Sequence, residues 1–164
     1  MNRTRKPIAA LALGLALALA SAAAFAAGTL SDYARGAILG HAFKGVAWSA
    51  PATLYAGLST TACSATSVGT EVTGGSYARV PITAATGWSG PAAGTGRITN
   101  AAAVTFPAPT SAWNVVSHWH LSDAATGGNL IACAPLDVAK TINAGDAAPA
   151  FPAGALYIQL GPGS

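Results

Sequence analysis

Short runs of alternating apolar and polar residues, separated by glycine-rich and proline-rich turns, constrain the fold of this chain more than any other feature. Such runs recur from residue 53 onward, and Gly74-Gly75 and Gly127-Gly128 mark two of the turns. Alternation with a period of two is typical of β-strands, and paired glycines are typical of tight turns. The pattern predicts strands at residues 53–58, 77–82, 98–106, 115–121, 130–136, 138–142 and 156–160. Pro81 predicts an edge position or a bulge for the second strand.

One segment near the N-terminus has helical spacing instead. Ser31 suits an N-cap, Asp32 the first turn and Gly45 a C-cap, which together predict a helix over residues 31–44. Its apolar residues at helical spacing are Leu30, Ala34, Ala37, Ile38, Ala42 and Phe43, which favours docking of the helix on a sheet. We therefore predict a mainly β fold, an antiparallel β-sandwich or flattened barrel with one short N-terminal helix docked on it.

The first 26 residues have the three parts of a secretory signal peptide. A basic start is followed by an apolar run over residues 8–20 and by the cleavage pattern Ala24-Phe25-Ala26. An uncleaved membrane anchor is the alternative, because the apolar stretch is close to the ~20 residues that cross a bilayer. The predicted organisation is residues 1–26 as signal peptide or membrane anchor and residues 27–164 as a single β-rich domain.

The charge of the chain excludes some partners. The net charge of +3 comes from the basic start, since residues 27–164 hold five basic and five acidic residues. A neutral body has no basic stripe for phosphates, so we do not expect a nucleic-acid partner. Charged residues are only 8% of the chain, against about 25% in typical proteins. A surface with so few charges is prone to self-association and favours a homo-oligomer in a packed assembly.

The only two cysteines are Cys63 and Cys133. In an exported protein an even pair predicts a disulfide. The alternative is two unrelated thiols, one of them buried.

Two histidines are the weak candidates for a metal site. His118 and His120 are two residues apart on a predicted strand, so both point to one face and Trp119 to the other. Such a pair can hold a metal if a third ligand comes from a neighbouring strand. In the alternative interpretation, which we favour, both are half-buried polar residues beside Trp113 and Trp119.

The chain has few of the residues that enzymes use. Its acidic residues are scattered, and Asp123, Asp137 and Asp146 fall in turns, where aspartate bonds its own backbone. The nucleophile elbow, the phosphate-binding loop and the dinucleotide fingerprint are absent from the sequence. We therefore expect no catalytic residues and no cofactor. Trp88, in a stretch that resembles an exposed loop, is the best candidate for a contact residue.

A set of segments in fixed order resembles a known family. The segments are Leu30-Ser31-Asp32-Tyr33, residues 50–58, residues 69–79, Ala103 to Pro107, residues 121–130 and residues 140–146. Together they resemble a family of small tailed-bacteriophage virion proteins, described as tail-fibre-like or minor structural proteins. The resemblance covers about residues 30 to 160.

The resemblance implies a non-enzymatic β module of a virion, used in assembly, decoration or attachment to a host-surface receptor. Its expected partners are itself or other virion proteins. Two features depart from the family, namely the signal-like leader and the cysteine in the loop at residues 60–68. They leave open a membrane-associated virion protein and an exported, phage-derived module that binds glycans or proteins at the cell surface. An exported hydrolase or metal protein that uses His118 and His120 is a third hypothesis.

Overall fold

The computed structural model describes residues 28–160, so the predicted leader lies outside the described residues. The helix α1 covers Asp32–Lys44, as the sequence predicts. Ser31 caps it, because its Oγ accepts a hydrogen bond of 3.1 Å from the N–H of Ala34. Gly45 ends the helix in the left-handed conformation, with φ of 66°.

Within residues 28–160, ten strands form three antiparallel sheets. The strands are β1 (Thr29–Leu30), β2 (Thr53–Ser59), β3 (Val80–Thr83), β4 (Trp88–Ala92), β5 (Arg97–Asn100), β6 (Val104–Thr105), β7 (Asn114–Ser122), β8 (Leu130–Ile142), β9 (Ala150–Phe151) and β10 (Tyr157–Gln159). The largest sheet has the order β1-β8-β7-β2-β3, and the others are β10-β5-β4 and β6-β9. Strand β3 lies at an edge, which confirms the prediction from Pro81.

One core lies beneath all three sheets. Buried side chains come from the largest sheet (Trp119, Leu121), the three-stranded sheet (Ile158) and the two-stranded sheet (Val104, Phe151). The predicted mainly β, antiparallel fold with one helix is therefore confirmed. Within residues 28–160 the sheets do not close into a barrel.

Some predicted strand limits were wrong. The strand predicted at 98–106 is two strands, β5 and β6, because the buried Asn100 closes a bend between them through a hydrogen bond of 2.8 Å from its Nδ2 to the carbonyl of Ala102. The strands predicted at 130–136 and 138–142 are the single strand β8. Between the pairs Val116–Lys140 and His118–Pro135 the register shifts, and the four residues of β8 at 136–139 form a bulge. The exposed Asp137 in that bulge made the sequence resemble a turn.

Trp88 does not lie in an exposed loop, which corrects the prediction. It opens β4 opposite Asn100 and packs half-buried against the core. The turn-like residues that follow it are Gly90 and Pro91, which lie where the pairing of β4 with β5 changes register. The local sequence is thus typical of a turn, although the strand continues through it.

The helix also differs from its prediction in the side that it buries. Ala34 is buried in the core, whereas Phe43 is 81% exposed. These two residues are nine apart, which is about two and a half helical turns, so they face opposite ways. Only part of the predicted apolar set can therefore face the sheet.

Candidate functional site

A half-buried carboxylate organises the polar interior of the large sheet. Glu71 belongs to the segment of residues 60–79, which connects β2 to β3, and it is bridged to Ser59 at the end of β2. Its neighbour Val72 is 3% exposed and donates a backbone hydrogen bond of 3.0 Å to the carbonyl of Leu58. This apolar anchor places the Glu71 side chain against the interior.

Arg79 joins this carboxylate to the turn between β7 and β8. Its Nε and Nη2 donate to Oε1 and Oε2 of Glu71, each at 2.7 Å. Its Nη1 donates to the carbonyls of Ala124 and Gly127, both at 2.8 Å, in the turn between β7 and β8. A guanidinium suits this position because its donors form a rigid planar fork. One side chain therefore joins the 60–79 segment to a turn nearly fifty residues away.

Tyr77 extends the cluster toward the core. Its hydroxyl donates to Glu71 Oε1 at 2.9 Å and accepts from the N–H of Leu58 at 2.8 Å. Its ring meets Trp113 edge-on, with centroids 5.4 Å apart, and stacks on Phe106 at 6.2 Å. Both ends of the side chain are thus occupied, one by polar and one by aromatic partners.

His120 completes the cluster from β7. Its Nδ1 lies 3.2 Å from the Oγ of Ser59, and its Nε2 lies 3.5 Å from Glu71 Oε1. The ring is 0% exposed. Gly57, on the neighbouring strand, covers it closely, since a Cβ added there would lie 2.2 Å from Nε2. We call Ser59, Glu71, Tyr77, Arg79 and His120 the Glu71 cluster.

The charges of the cluster stabilise one another. Burial raises the pKa of the Glu71 carboxyl, but the hydrogen bonds from Arg79, the neighbouring His120 ring and the Tyr77 hydroxyl outweigh it and hold that pKa well below its usual value. The hydrogen bond to Glu71 raises the pKa of the Arg79 guanidinium. Burial raises the pKa of the Tyr77 phenol, against the lowering effect of the Leu58 N–H. Glu71 and Arg79 are therefore a charged pair at neutral pH.

A second polar region surrounds the disulfide. Cys63 and Cys133 are joined, with their Cα atoms 6.4 Å apart, so the predicted disulfide is present. Beside it lies a cavity of about 200 Å³ that Arg35 and His118 also line. The Nδ1 of His118 is hydrogen-bonded to the Oγ of Ser117 at 2.8 Å. Burial lowers the pKa of the His118 ring.

The two histidines therefore lie in different settings. His118 faces the disulfide cavity, and His120 is enclosed in the Glu71 cluster. Across residues 28–160, no group of three or more His, Cys, Asp or Glu side chains is placed to hold a metal ion. The same part of the chain contains no helix with the length and hydropathy of a membrane span.

Sequence reasoning missed most of the Glu71 cluster. The sequence predicts Tyr77 and Arg79 only as part of the strand at 77–82, gives Glu71 no role, and offers their partner His120 as a weak metal candidate. Tyr77 and Arg79 are two residues apart, which places them on one face of an extended segment. A tyrosine and an arginine on one face, close in sequence to a glutamate in a chain with few acids, is the signal that could have found the pair.

These features define a class. Residues 28–160 form a disulfide-linked, mainly β domain whose buried and half-buried ionisable side chains contact one another, an organisation that suits a structural protein. A family model described as Podophage GP4 fiber I protein gp80 matches residues 29–159, and the chain belongs to this family of phage fibre proteins. It is thus a phage structural protein, and the family suggests a place on the virion in association with other virion proteins. No curated protein matches the chain.

Proposed function

We propose that this chain is a non-enzymatic structural module of a phage virion, either tail-fibre-like or a decoration and assembly part, and that it works as a homo-oligomer. The family match over residues 29–159 is the observation that carries the proposal. The match covers the helix and all ten strands, so the whole described fold belongs to the fibre-type domain. Attachment to a host-surface receptor is the activity that such a module would contribute.

The Glu71 cluster supports a non-enzymatic role, although it contains the residue types of a hydrolase. Ser59, His120 and Glu71 follow one another by contact, as a nucleophile, a base and an acid would. A nucleophile must reach its substrate, however, and both Ser59 and His120 are 0% exposed. Glu71 is already engaged by the guanidinium of Arg79. The arrangement fits a role in fixing the 60–79 segment on the sheet.

The disulfide favours a second candidate function. Disulfides form in oxidising compartments, and Cys63–Cys133 occurs in a chain with a signal-like start. An exported, cell-surface binding module derived from a phage fibre would have this combination. The two candidates differ in where the protein is found, on particles or in the cell envelope.

The test is to locate the protein in its natural source. Particles are banded on a density gradient, washed with salt and analysed by mass spectrometry, and the cell envelope of the same culture is analysed in parallel. The proposal predicts that peptides of this chain follow the particles and that an antibody labels one repeated position on them. Peptides found in the envelope and absent from the particles would contradict the virion role and support the surface module. The same spectra identify the first residue of the mature chain.

A further inference from the structure

The outer side of α1 is apolar, although surface helices usually place polar residues outward. Leu39 is 55% exposed and Phe43 is 81% exposed. The two are four residues apart and therefore share a face, opposite to the buried Ala34. Val46, just past the C-cap, is also exposed, at 54%. Exposed apolar residues that adjoin one another mark an interaction surface, unlike apolar residues scattered singly.

This face also has a notch. Gly36 lies two helical turns before Phe43 on the same face. Among the described residues, nothing lies within 4 Å of the position that a Cβ of residue 36 would occupy. A glycine in a helix costs about 1 kcal/mol relative to alanine, so its presence on an open surface calls for a reason. Its missing side chain lets a second backbone or a large side chain come close. We call Gly36, Leu39, Phe43 and Val46 the α1 outer face.

The charges of the helix indicate the kind of partner that fits. The first turn carries Asp32, and the last turn carries His41 and Lys44. When two copies of such a helix lie antiparallel, the acidic start of each lies at the basic end of the other. The two helix dipoles then also oppose each other favourably. Asp32 is paired with Arg35 in the same helix, but both side chains are at least half exposed and can rearrange.

We propose that the α1 outer face binds the α1 outer face of a second copy of this chain, in an antiparallel two-fold pair with Phe43 of each copy over Gly36 of the other. The proposal rests on the homo-oligomeric role proposed above and names the surface that performs it. A two-fold pair needs a self-complementary surface, and a projecting ring and a notch on the same face provide one. The acidic first turn and the basic last turn of the helix are self-complementary in the same sense.

The size of the α1 outer face limits the expected affinity between the two copies. A helix of 13 residues is about 20 Å long, too short to bury the roughly 800 Å² per partner of a stable complex. The pair should therefore be weak and depend on concentration. Copies held side by side in a particle would associate more firmly, because their effective concentration is high.

The experiment is sedimentation velocity of the chain as recovered from its source, over a wide range of concentration. Phe43→Glu should weaken association by about tenfold or more, because it removes the ring and places two like charges together. Val138→Glu is the matched control, since Val138 is 65% exposed on the bulge of β8 and is not part of the α1 outer face. It should leave the association unchanged.

A second variant distinguishes a fitted pair from general stickiness. Gly36→Leu fills the notch with an apolar side chain that meets no other residue in the single chain. The proposed pair predicts weaker association for this variant by a similar factor, because the helices can no longer approach. Tighter association of Gly36→Leu would overturn the proposal, as it would show that apolar area alone matters.

The remaining outcomes also decide the question. A chain that stays monomeric at every concentration, or that loses association through Val138→Glu instead, overturns the proposal. So does a monomer in which residues 1–27 are retained and shield Leu39 and Phe43 from chemical footprinting. Protein found on particles whose assembly ignores Phe43→Glu would refute this surface and leave the virion role standing. A protein that associates through α1 but is absent from particles would support this surface and refute the virion role.

Discussion

Two connections within the large sheet are held in opposite ways. Residues 60–79, between β2 and β3, form no strand or helix of their own, and they are fastened by the disulfide and by the Glu71–Arg79 pair. The helix α1, between β1 and β2, meets the sheet through Ala34 and the cap residue Ser31. The first connection has polar residues inside, and the second has apolar residues outside.

The difference follows from how each backbone satisfies its hydrogen bonds. An irregular segment of this length pairs only some of its own N–H and C=O groups, as between Thr60 and Thr70, so side chains and cross-links must also hold it. A helix pairs its backbone internally and needs few contacts to keep its shape once it is docked. The 60–79 segment therefore uses its polar residues for the fold, and α1 keeps a face free for a partner.

The largest effect is expected from removing the disulfide. The double variant Cys63→Ser, Cys133→Ser should lower the free energy of unfolding by about 4 kcal/mol, since the bond closes a loop of 70 residues. Urea unfolding of the oxidised parent, the reduced parent and the double variant measures it. The reduced parent should match the double variant. An unchanged unfolding midpoint would contradict the view that this bond fastens the segment.

The next effect is expected from Glu71→Gln. It leaves the Arg79 side chain, which is 4% exposed, without its carboxylate, and it should cost about 3 kcal/mol of unfolding free energy. The control is Arg35→Gln, which breaks the exposed pair with Asp32 and should cost less than about 1 kcal/mol. Equal losses in the two variants would show that the Glu71 cluster is no more than another surface pair.

Acid should weaken the parent more than Glu71→Gln. The folded-state pKa of Glu71 is depressed below its ordinary value of 4.5, so its contribution to stability is complete above that value. The contribution is lost as the pH falls from about 4.5 toward the lower pKa of the folded state. Urea midpoints measured between neutral pH and pH 3 should therefore converge for the two proteins as the pH falls. A difference that stays constant down to pH 3 would show that the stability lost in Glu71→Gln does not come from the charge of Glu71.

The smallest effect is expected from Phe43→Ser in dilute solution. The side chain is 81% exposed, so its removal should change the unfolding free energy by less than about 0.5 kcal/mol. Thermal unfolding at low protein concentration measures it. A loss as large as that of Glu71→Gln would mean that the ring supports the fold of the single chain and is not free for a partner.

Local signals made the helix and several strands predictable. Ser31 and Gly45 define the ends of α1 by chemistry within one turn of each end, and both ends were predicted correctly. The strands predicted at 53–58 and 115–121 lie within the observed β2 and β7. The failures are places where tertiary pairing overrides local preference, such as β4 through Gly90 and Pro91.

The candidate site was predictable only in its covalent part. Two cysteines in a chain with an export-like start leave one pairing, so Cys63–Cys133 could be inferred. The contact of Glu71 with His120 joins residues 49 positions apart on β7 and the 60–79 segment, and nothing in the local sequence encodes it. The exposure of Phe43 also depends on which side of α1 the sheet occupies, which helical periodicity alone does not determine.

Hydrogen–deuterium exchange on the free chain and on isolated particles tests the central claim most directly. The account predicts that amides of residues 60–79 exchange equally slowly in both, because their fastenings are internal. Amides of α1 should exchange faster in the dilute free chain and become protected on the particle, where the outer face is covered. Equal exchange of α1 in both states, or protection gained by residues 60–79 alone, would contradict the assignment of the two segments.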